Sequence, residues 1–334
     1  MLSERQKAIL AAVVERYIRT GEPVGSSVLL PALGMRISSA TVRNELAALS
    51  AKGYLKQPHT SAGRVPSTNG YRYYVDQLMG RREADESFRR LFTQLALSSH
   101  DPARLLENAI TVLADITRCA AVSTLPSGEG ARLRRVELVP LGEDTALLVL
   151  LTDSGIIKNR SLRLDFPATS ALLESFGNFS AAALCGREMT DFSPAYLQGL
   201  TTSLNLELLP VLADFAELAR EAAQTRVAVE GQMNLLQHKE ISGNLAEILN
   251  LLRKGQKLHE LARGDPDNAV SVRIGSESGD PALKNTGLIL AKYNMGGHQG
   301  MLGIVGGSRI DYARLIPGIQ YLARLLEHLM SDEQ

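Results

Sequence analysis

The spacing of apolar residues in the first fifty positions predicts three helices. Residues 3–20 place apolar side chains at helical intervals, and a short second helix is expected to begin at Ser26 or Ser27. In the third helix Val42 and Leu46, with Leu49 one turn later, recur at i, i+4 and i+7, so one side of this helix faces a core. Three short amphipathic helices in succession predict a small, independently packed N-terminal domain.

The third helix and the residues after it carry the pattern of a groove-binding helix followed by a hairpin. Ser38 is suited to cap the helix and Gly53 to end it. Residues 54–57 then form a predicted strand, residues 58–64 have the composition of an exposed turn, and a second strand is expected near residues 64–66. The side of the helix away from the core is small and polar, with Ala40, Asn44, Ala47 and Ala51, flanked by Thr41 and Arg43. This order of elements is typical of a winged helix-turn-helix.

The rest of the chain alternates between strand and helix patterns. A polar segment led by Gly80 precedes two predicted helices, 88–97 and 102–118. Apolar segments separated by turn residues then predict an antiparallel meander of four strands, 120–125, 133–141, 145–151 and 156–164. Residues 168–262 are mostly helical in pattern, with one long helix running to about Glu230, before strands resume at 269 and a last helix closes the chain. This succession predicts an α+β domain that carries a helical insertion.

Charge separates along the chain. Residues 1–75 contain ten basic and four acidic residues, a net charge of +6, whereas the remainder contains 26 basic and 32 acidic residues. A basic end on an acidic body favours binding of a polyanion through one domain. No segment approaches the length of about 20 apolar residues that a membrane span requires. With no signal peptide pattern at Met1, we expect a cytoplasmic protein that does not bind membranes.

Candidate chemistry other than DNA binding is sparse. Cys119 and Cys185 lie in apolar surroundings without metal-ligand spacing, which indicates free thiols. The glycine-rich residues 296–307 lack a phosphate-binding motif and favour a hairpin. No nucleophile stands with a base in a recognisable motif, so we expect no catalytic residue, no cofactor and no metal.

The candidate DNA-binding residues fall into three groups. The third helix would place polar side chains in a major groove, where Arg and Asn pair with guanine and adenine edges: Ser39, Thr41, Arg43 and Asn44. The tip of the hairpin wing would approach a phosphate or a narrow minor groove through His59, Thr60, Ser61, Gly63 and Arg64. Three further residues are expected to contact phosphates without specifying sequence: Lys52, Lys56 and Arg72.

Several of these segments together resemble the HrcA family of heat-inducible transcription repressors. The resemblance is carried by the runs at 24–27, 38–46 and 57–66 (QPHTSAGRVP), by Gly70-Tyr71-Arg72, and by Val272 to Gly275 near the end of the chain. Where the family has Ile-Gly-Pro-Thr-Arg-Met, this chain has Val305-Gly306-Gly307-Ser308-Arg309-Ile310, which keeps the arginine but neither the proline nor the threonine.

The resemblance implies a fold and a function. The fold would be α+β and multidomain: a winged helix-turn-helix at residues 1–80, a linker or helix at 81–100, and a GAF-like domain in two parts, 101–195 and 267–334, around an inserted dimerising segment at 196–266. The function would be binding, as a homodimer, to an inverted-repeat operator in double-stranded DNA, CIRCE, upstream of chaperone operons. Heat would inactivate the repressor and the GroEL chaperonin would restore it.

Two other functions remain open from the sequence. A ligand-gated regulator would use the GAF-like domain as a small-molecule sensor. A chaperone client or scaffold would keep the N-terminal fold without binding DNA. A mobility shift on inverted-repeat DNA separates the repressor from the scaffold, and a thermal-shift screen against metabolites separates temperature sensing from ligand sensing.

Overall fold

The computed structural model describes residues 2–34, 37–59, 62–80, 82–96, 102–124, 130–200, 206–223, 227–254, 258, 260–261, 269–295 and 298–331. Helices and strands are mixed along the chain, so the predicted α+β class is confirmed. The chain forms two compact units. The first comprises Met1–Ser123, Ala228–Tyr293 and Met301–Leu329, and the second comprises Thr124–Val227, Asn294–Gly300 and Met330–Gln334.

The first unit begins with what we term the N-terminal module, residues 2–80. Its elements are α1 (Glu4–Thr20), α2 (Ser26–Leu33), α3 (Ser39–Ala51), β1 (Leu55–Lys56), β2 (Val65–Pro66) and α4 (Thr68–Tyr73), which continues into a π-helical turn, Tyr74–Leu78. Strands β1 and β2 pair antiparallel. Helix α1 begins at a capping box, in which the Ser3 hydroxyl accepts from the Gln6 amide nitrogen at 3.2 Å. Its buried side is formed by Ile9, Leu10, Val13 and Val14.

The rest of the first unit is built on a five-stranded sheet in the order β7-β3-β10-β9-β8. Its elements are α5 (Glu86–Ala96), α6 (Pro102–Thr117), β3 (Ala120–Thr124), β7 (Val227–Glu230), α10 (Leu245–Lys254), β8 (Val270–Ile274), β9 (Thr286–Met295), β10 (His298–Gly307) and α11 (Tyr312–Ser331). Every residue of β3 is buried, and β8 lies at one edge of the sheet. Cys119, just before β3, is fully buried, and this burial raises the pKa of its thiol to about 12.

The second unit is a three-stranded antiparallel sheet covered by helices on one face. Its elements are β4 (Leu133–Pro140), β5 (Thr145–Thr152), β6 (Ile157–Arg163), α7 (Ser170–Ala183), α8 (Pro194–Leu200) and α9 (Leu209–Ala223). Strand β5 alternates strictly: Ala146, Leu148, Leu150 and Thr152 are buried, whereas the residues between them are half-buried. Arg160 of β6 ties this sheet to α9 through three carboxylates, those of Asp214, Glu217 and Glu221.

The face of this sheet that is turned away from the buried core has an apolar centre. We call it the outer sheet face, and define it by Val139, Leu147, Val149, Leu151 and Ile157. The register places Leu151 opposite Ile157, and Val139 opposite Leu147. Ile157 is 63% exposed and Val139 is 40% exposed. One face is therefore packed and the other presents aliphatic side chains to solvent.

Two local predictions differ from the structure. The predicted four-strand meander contains only β4, β5 and β6, because β3 pairs instead in the five-stranded sheet. The helix expected to reach Glu230 ends with α9 at Ala223, and Val227–Glu230 is a strand. The inserted segment at residues 196–266 stays a prediction, and it shares residues 196–227 with the main span of the second unit, Thr124–Val227.

Among the residues that the structure describes, no helix is long and apolar enough to cross a membrane. Within the same residues, no three or more His, Cys, Asp or Glu side chains lie together as a metal ion would require.

Candidate nucleic-acid interface

Helix α3 is anchored on the N-terminal module through one buried side. The Ser38 hydroxyl accepts from the amide nitrogen of Thr41 at 3.1 Å and so caps the helix. Glu45 is only 9% exposed and accepts from Arg5 Nε at 2.7 Å and from Gln6 Nε2 at 2.9 Å. The hydrogen bond from Gln6 lowers the pKa of Glu45, and the guanidinium of Arg5 adds to this effect against the opposing influence of burial. The buried apolar residues of α3 are Val42, Leu46 and Leu49.

The opposite side of α3 presents two long polar side chains between small ones. Arg43 and Asn44 are exposed, and so are the alanines that lie one turn before and after them. We call this the exposed stripe, and it consists of Ala40, Arg43, Asn44, Ala47 and Ala51. Because the alanines project only a methyl group, the helix backbone can come close to a surface that Arg43 and Asn44 contact.

Two of the four residues predicted to enter the groove are engaged locally. The Ser39 hydroxyl lies 3.1 Å from that of Ser26 and so joins α3 to α2. The Thr41 hydroxyl lies 2.9 Å from that of Ser38 and supports the helix cap. Through these contacts Ser39 and Thr41 help to orient α3. Of the four predicted residues, Arg43 and Asn44 are the two whose side chains are exposed.

The wing is joined to the start of α2 through the backbone. Val24 and Arg64 exchange two backbone hydrogen bonds of 2.9 Å each. A Cβ on Gly63 would lie 2.5 Å from the carbonyl carbon of Val24, so glycine is required there by an intramolecular approach. Gly63 was predicted to allow approach to a phosphate, and the structure supplies a different reason for that glycine. His59 is exposed at the turn, whereas Thr60 and Ser61 lie outside the described residues.

The wing also holds contacts that the sequence did not suggest. Gln57 Nε2 donates to the carbonyl oxygen of Ala62 at 3.1 Å, which closes the turn. Arg64 Nε donates to the Ser50 hydroxyl at 2.9 Å, so the base of the wing is attached to the end of α3. Such contacts depend on the tertiary approach of two elements, and no local pattern indicates them.

The three predicted phosphate contacts are in different environments. Lys56 is exposed on β1. Lys52 is exposed, and its Nζ donates to Gln6 Oε1 at 2.9 Å. Arg72 is committed to partners within the first unit, because it pairs with Glu277 and donates from Nη2 to the carbonyl oxygen of Val272 at 2.7 Å. These partners favour a role for Arg72 within the protein over the predicted phosphate contact, and Lys52 and Lys56 remain predicted phosphate contacts.

A family model and several relatives identify the same family, and the relatives match over almost the full chain. The family model described as the HrcA protein C-terminal domain matches residues 103–316. A heat-inducible transcription repressor HrcA of Frankia casuarinae is 32% identical over 340 residues, which covers 100% of both chains. The protein of the same name from Chromobacterium violaceum is 33% identical over 339 residues and covers 99% of each. A crystal structure described only as that of a hypothetical protein has a TM-score of 0.70 and 26% identity, and covers 100% of both chains.

Proposed function

Since this chain belongs to the HrcA family of heat-inducible transcription repressors, we propose that it represses transcription by binding operator DNA through its N-terminal module. The resemblance seen in the sequence is confirmed by these matches. In the proposal, residues 1–80 act as a winged helix-turn-helix, with α3 as the recognition helix and β1 and β2 as the wing. The proposal also takes the five-stranded sheet as part of a GAF-like domain.

The exposed stripe of α3 carries this proposal. Arg43 and Asn44 project from a helix face that is otherwise made of alanines, and the opposite face is fixed by Glu45 and its two partners. In a major groove, Arg43 would donate to guanine and Asn44 would bond to adenine. Lys52 and Lys56 would contact phosphates on either side, which fixes the register without specifying sequence.

A homodimer on an inverted repeat is the second part of the proposal. The outer sheet face of the second unit supports it, because aliphatic side chains on one sheet face are suited to a self-complementary contact. Arg135 and Glu137 form an ion pair beside it. In this proposal the dimer contact involves β4, β5 and β6, whereas the resemblance put the dimerising segment at residues 196–266. Two modules related by a twofold axis would match the two arms of the CIRCE operator.

The proposed response to heat follows the family. Heating would unfold part of the protein and release the DNA, and the GroEL chaperonin would restore the folded state. Exposed apolar side chains give a chaperonin a surface to hold, and Met233 and Leu236 of the first unit are 73% and 60% exposed. No specific observation on the described residues favours the ligand-gated alternative.

A mobility shift with the full chain tests the proposal. The probe is an inverted-repeat duplex from a chaperone promoter, compared with a duplex of the same composition and scrambled sequence. We expect binding to the inverted repeat that weakens steeply with salt, by a slope of about 0.9 per phosphate contacted. Heating should abolish the shift, and added chaperonin should restore it. Equal binding to both duplexes, or binding that ignores salt, would contradict the proposal.

A further inference from the structure

Arg72, at the end of α4, holds the N-terminal module against the edge of the five-stranded sheet. Its Nε donates to Glu277 Oε1 at 2.9 Å, and its Nη2 donates both to Glu277 Oε2 and to the carbonyl oxygen of Val272 at 2.7 Å. The planar guanidinium therefore satisfies a carboxylate and an edge-strand carbonyl together, which the single ammonium of lysine does not do in the same geometry. This contact joins α4 to β8 and to the turn after it through two acceptors at once.

The receiving side of this contact is itself constrained. The Glu277 carboxylate also accepts from the amide nitrogen of Ile274 at 2.9 Å, so a local partner orients it towards Arg72. Gly275 has a φ of +57°, and a Cβ there would lie 2.7 Å from the carbonyl oxygen of Lys284 and 3.1 Å from the hydroxyl of Thr68. Since Thr68 is the first residue of α4, the glycine lets the start of that helix pack directly on the turn after β8.

A second arginine, which follows a strand of the sheet, contacts the N-terminal module. Arg309, after β10, donates from Nη1 to the carbonyl oxygen of Ile18 at 2.8 Å and from Nε to Glu240 Oε1 at 2.7 Å. The last carbonyls of α1 have no partner within the helix, and a cation is favoured at that end of the helix dipole. Gly21 lies against the guanidinium, where a Cβ would be 3.3 Å from Cζ. Arg309 therefore caps α1 from the sheet.

A buried aromatic pair lies in the same unit as these two contacts. The rings of Tyr71 and Tyr312 are 5.9 Å apart, and both side chains are buried. Three attachments made by α1 and α4 leave the module little freedom to rotate on the sheet. We call the contacts of Arg72 and Arg309 the two arginine latches.

We infer that the two arginine latches narrow the range of half-site spacings that the repressor accepts, because they restrict how far the N-terminal module can turn on the five-stranded sheet. This inference rests on the proposed function. A dimer that carries its two modules rigidly engages both arms of an inverted repeat at one separation only. A dimer with swivelling modules engages arms at several separations, each less tightly, because the effective concentration of the second module falls. Arg72 and Arg309 are positioning residues in this scheme, and neither touches DNA.

The test uses the full chain and a series of duplexes with the same two arms and spacers of increasing length. A duplex with one arm and a scrambled second arm reports on the module alone. Both variants loosen the Arg72 latch. Glu277→Gln removes the carboxylate charge at nearly constant side-chain size, and Arg72→Lys keeps the positive charge but loses the paired donors of the guanidinium. The matched control is Glu86→Gln, which loosens an exposed ion pair with Arg90 within α5.

We expect the unaltered protein and Glu86→Gln to prefer one spacer by about 10-fold or more, and both latch variants to reduce that preference to about 3-fold or less. Affinity for the single arm should stay within about 2-fold in every protein, because no DNA contact is removed. An unchanged spacer profile in both latch variants overturns the inference, as does a parallel loss on the single arm. If the unaltered protein binds no inverted repeat, the proposed function fails instead, so the two failures are distinguishable.

Discussion

At the scale of single residues, the structure sorts the candidate DNA contacts by what else they bind. Ser39 and Thr41 have hydroxyl partners within the N-terminal module, whereas Arg43 and Asn44 project from it. The sequence places Asn44 on the polar side of the helix and Thr41 and Arg43 on its flanks, with Ser39 at its start. It could not indicate that Ser26 approaches Ser39, since that distance is set by the packing of α2 on α3.

Arg43 and Lys56 should differ in the kind of affinity that they provide. Arg43→Ala should lose about 1–3 kcal/mol on the cognate site and relax specificity at one base pair, because a base contact is removed. Lys56→Ala should weaken cognate and random duplexes alike and reduce the salt slope by about 1. Titrations of both variants on both duplexes at several salt concentrations make the comparison. Equal losses on the two duplexes for Arg43→Ala would reject its role in base recognition.

Gly63 should matter for folding and not for phosphate contact. In Gly63→Ala the new methyl group meets the Val24 backbone, so the free energy of unfolding should fall by about 1–3 kcal/mol. Gly177→Ala provides the control, because nothing lies within 4 Å of its Cβ and alanine is the better helix former. Urea unfolding of both variants gives the measurement. If Gly63→Ala kept full stability and lost only DNA affinity, the phosphate role first expected for this glycine would return.

At the scale of elements, local pattern predicted helices well and strand partners poorly. The stripes of α1 and α3 were visible because their apolar residues recur along one segment. The local pattern at β7 is that of the end of a helix, because Ala-rich residues precede it. Its neighbour in the sheet, β3, is far away in the sequence, so the local pattern does not indicate a strand. Likewise the sequence groups β3 with the strands that follow it, because a short apolar segment does not indicate which strand will pair with it.

Asp85 caps α5 and joins it to α11. Its Oδ1 accepts from the amide nitrogen of Phe88 at 3.0 Å, and its Oδ2 accepts from Arg314 Nε at 2.9 Å. Burial raises the pKa of Asp85, but hydrogen bonds from Ser87, Arg314 and Phe88 outweigh that effect and lower the pKa to about 2. The folded pKa is thus below the unfolded value of about 3.9. The stabilisation is therefore complete above pH of about 4 and is lost as the pH falls towards 2.

Asp85→Asn isolates the charge in this contact, since asparagine also caps helices well. The difference in the free energy of unfolding between the unaltered protein and this variant should be constant above pH of about 4 and should shrink between pH of about 4 and 2. Denaturant titrations at a series of pH values measure it. A difference that does not change over that interval would show that the carboxylate keeps an ordinary pKa.

At the scale of the whole molecule, the division into two units was the least predictable feature. The sequence showed a helical block between two sets of strands, and that block suggested where an insertion begins. In the structure β4, β5 and β6 form a sheet of their own with α7 and α9, so the second unit begins far earlier, at Thr124. The sheet to which a strand belongs depends on the strands it pairs with, and the turn residues between strands do not indicate those partners.

The outer sheet face provides a prediction about assembly. Val149→Asp places a charge at the centre of that face, where Val149 is half-buried and lies opposite Glu137. We expect a monomer by sedimentation and a loss of about 10²–10⁴-fold in affinity for the inverted repeat, because the second arm is no longer engaged by a tethered module. Leu236→Asp, at an exposed position of the first unit, should remain dimeric. A dimeric Val149→Asp protein would remove β5 from the contact.

The buried thiol of Cys119 can be used to measure when the protein opens on heating. The thiol is sealed beside β3, and both its burial and its raised pKa suppress reaction with an alkylating reagent in the closed fold. Cys185 is only half-buried and serves as the internal reference for reagent access. The temperature at which Cys119 begins to be labelled therefore reports the opening of the structure around β3, and it can be compared with the temperature at which the operator is released.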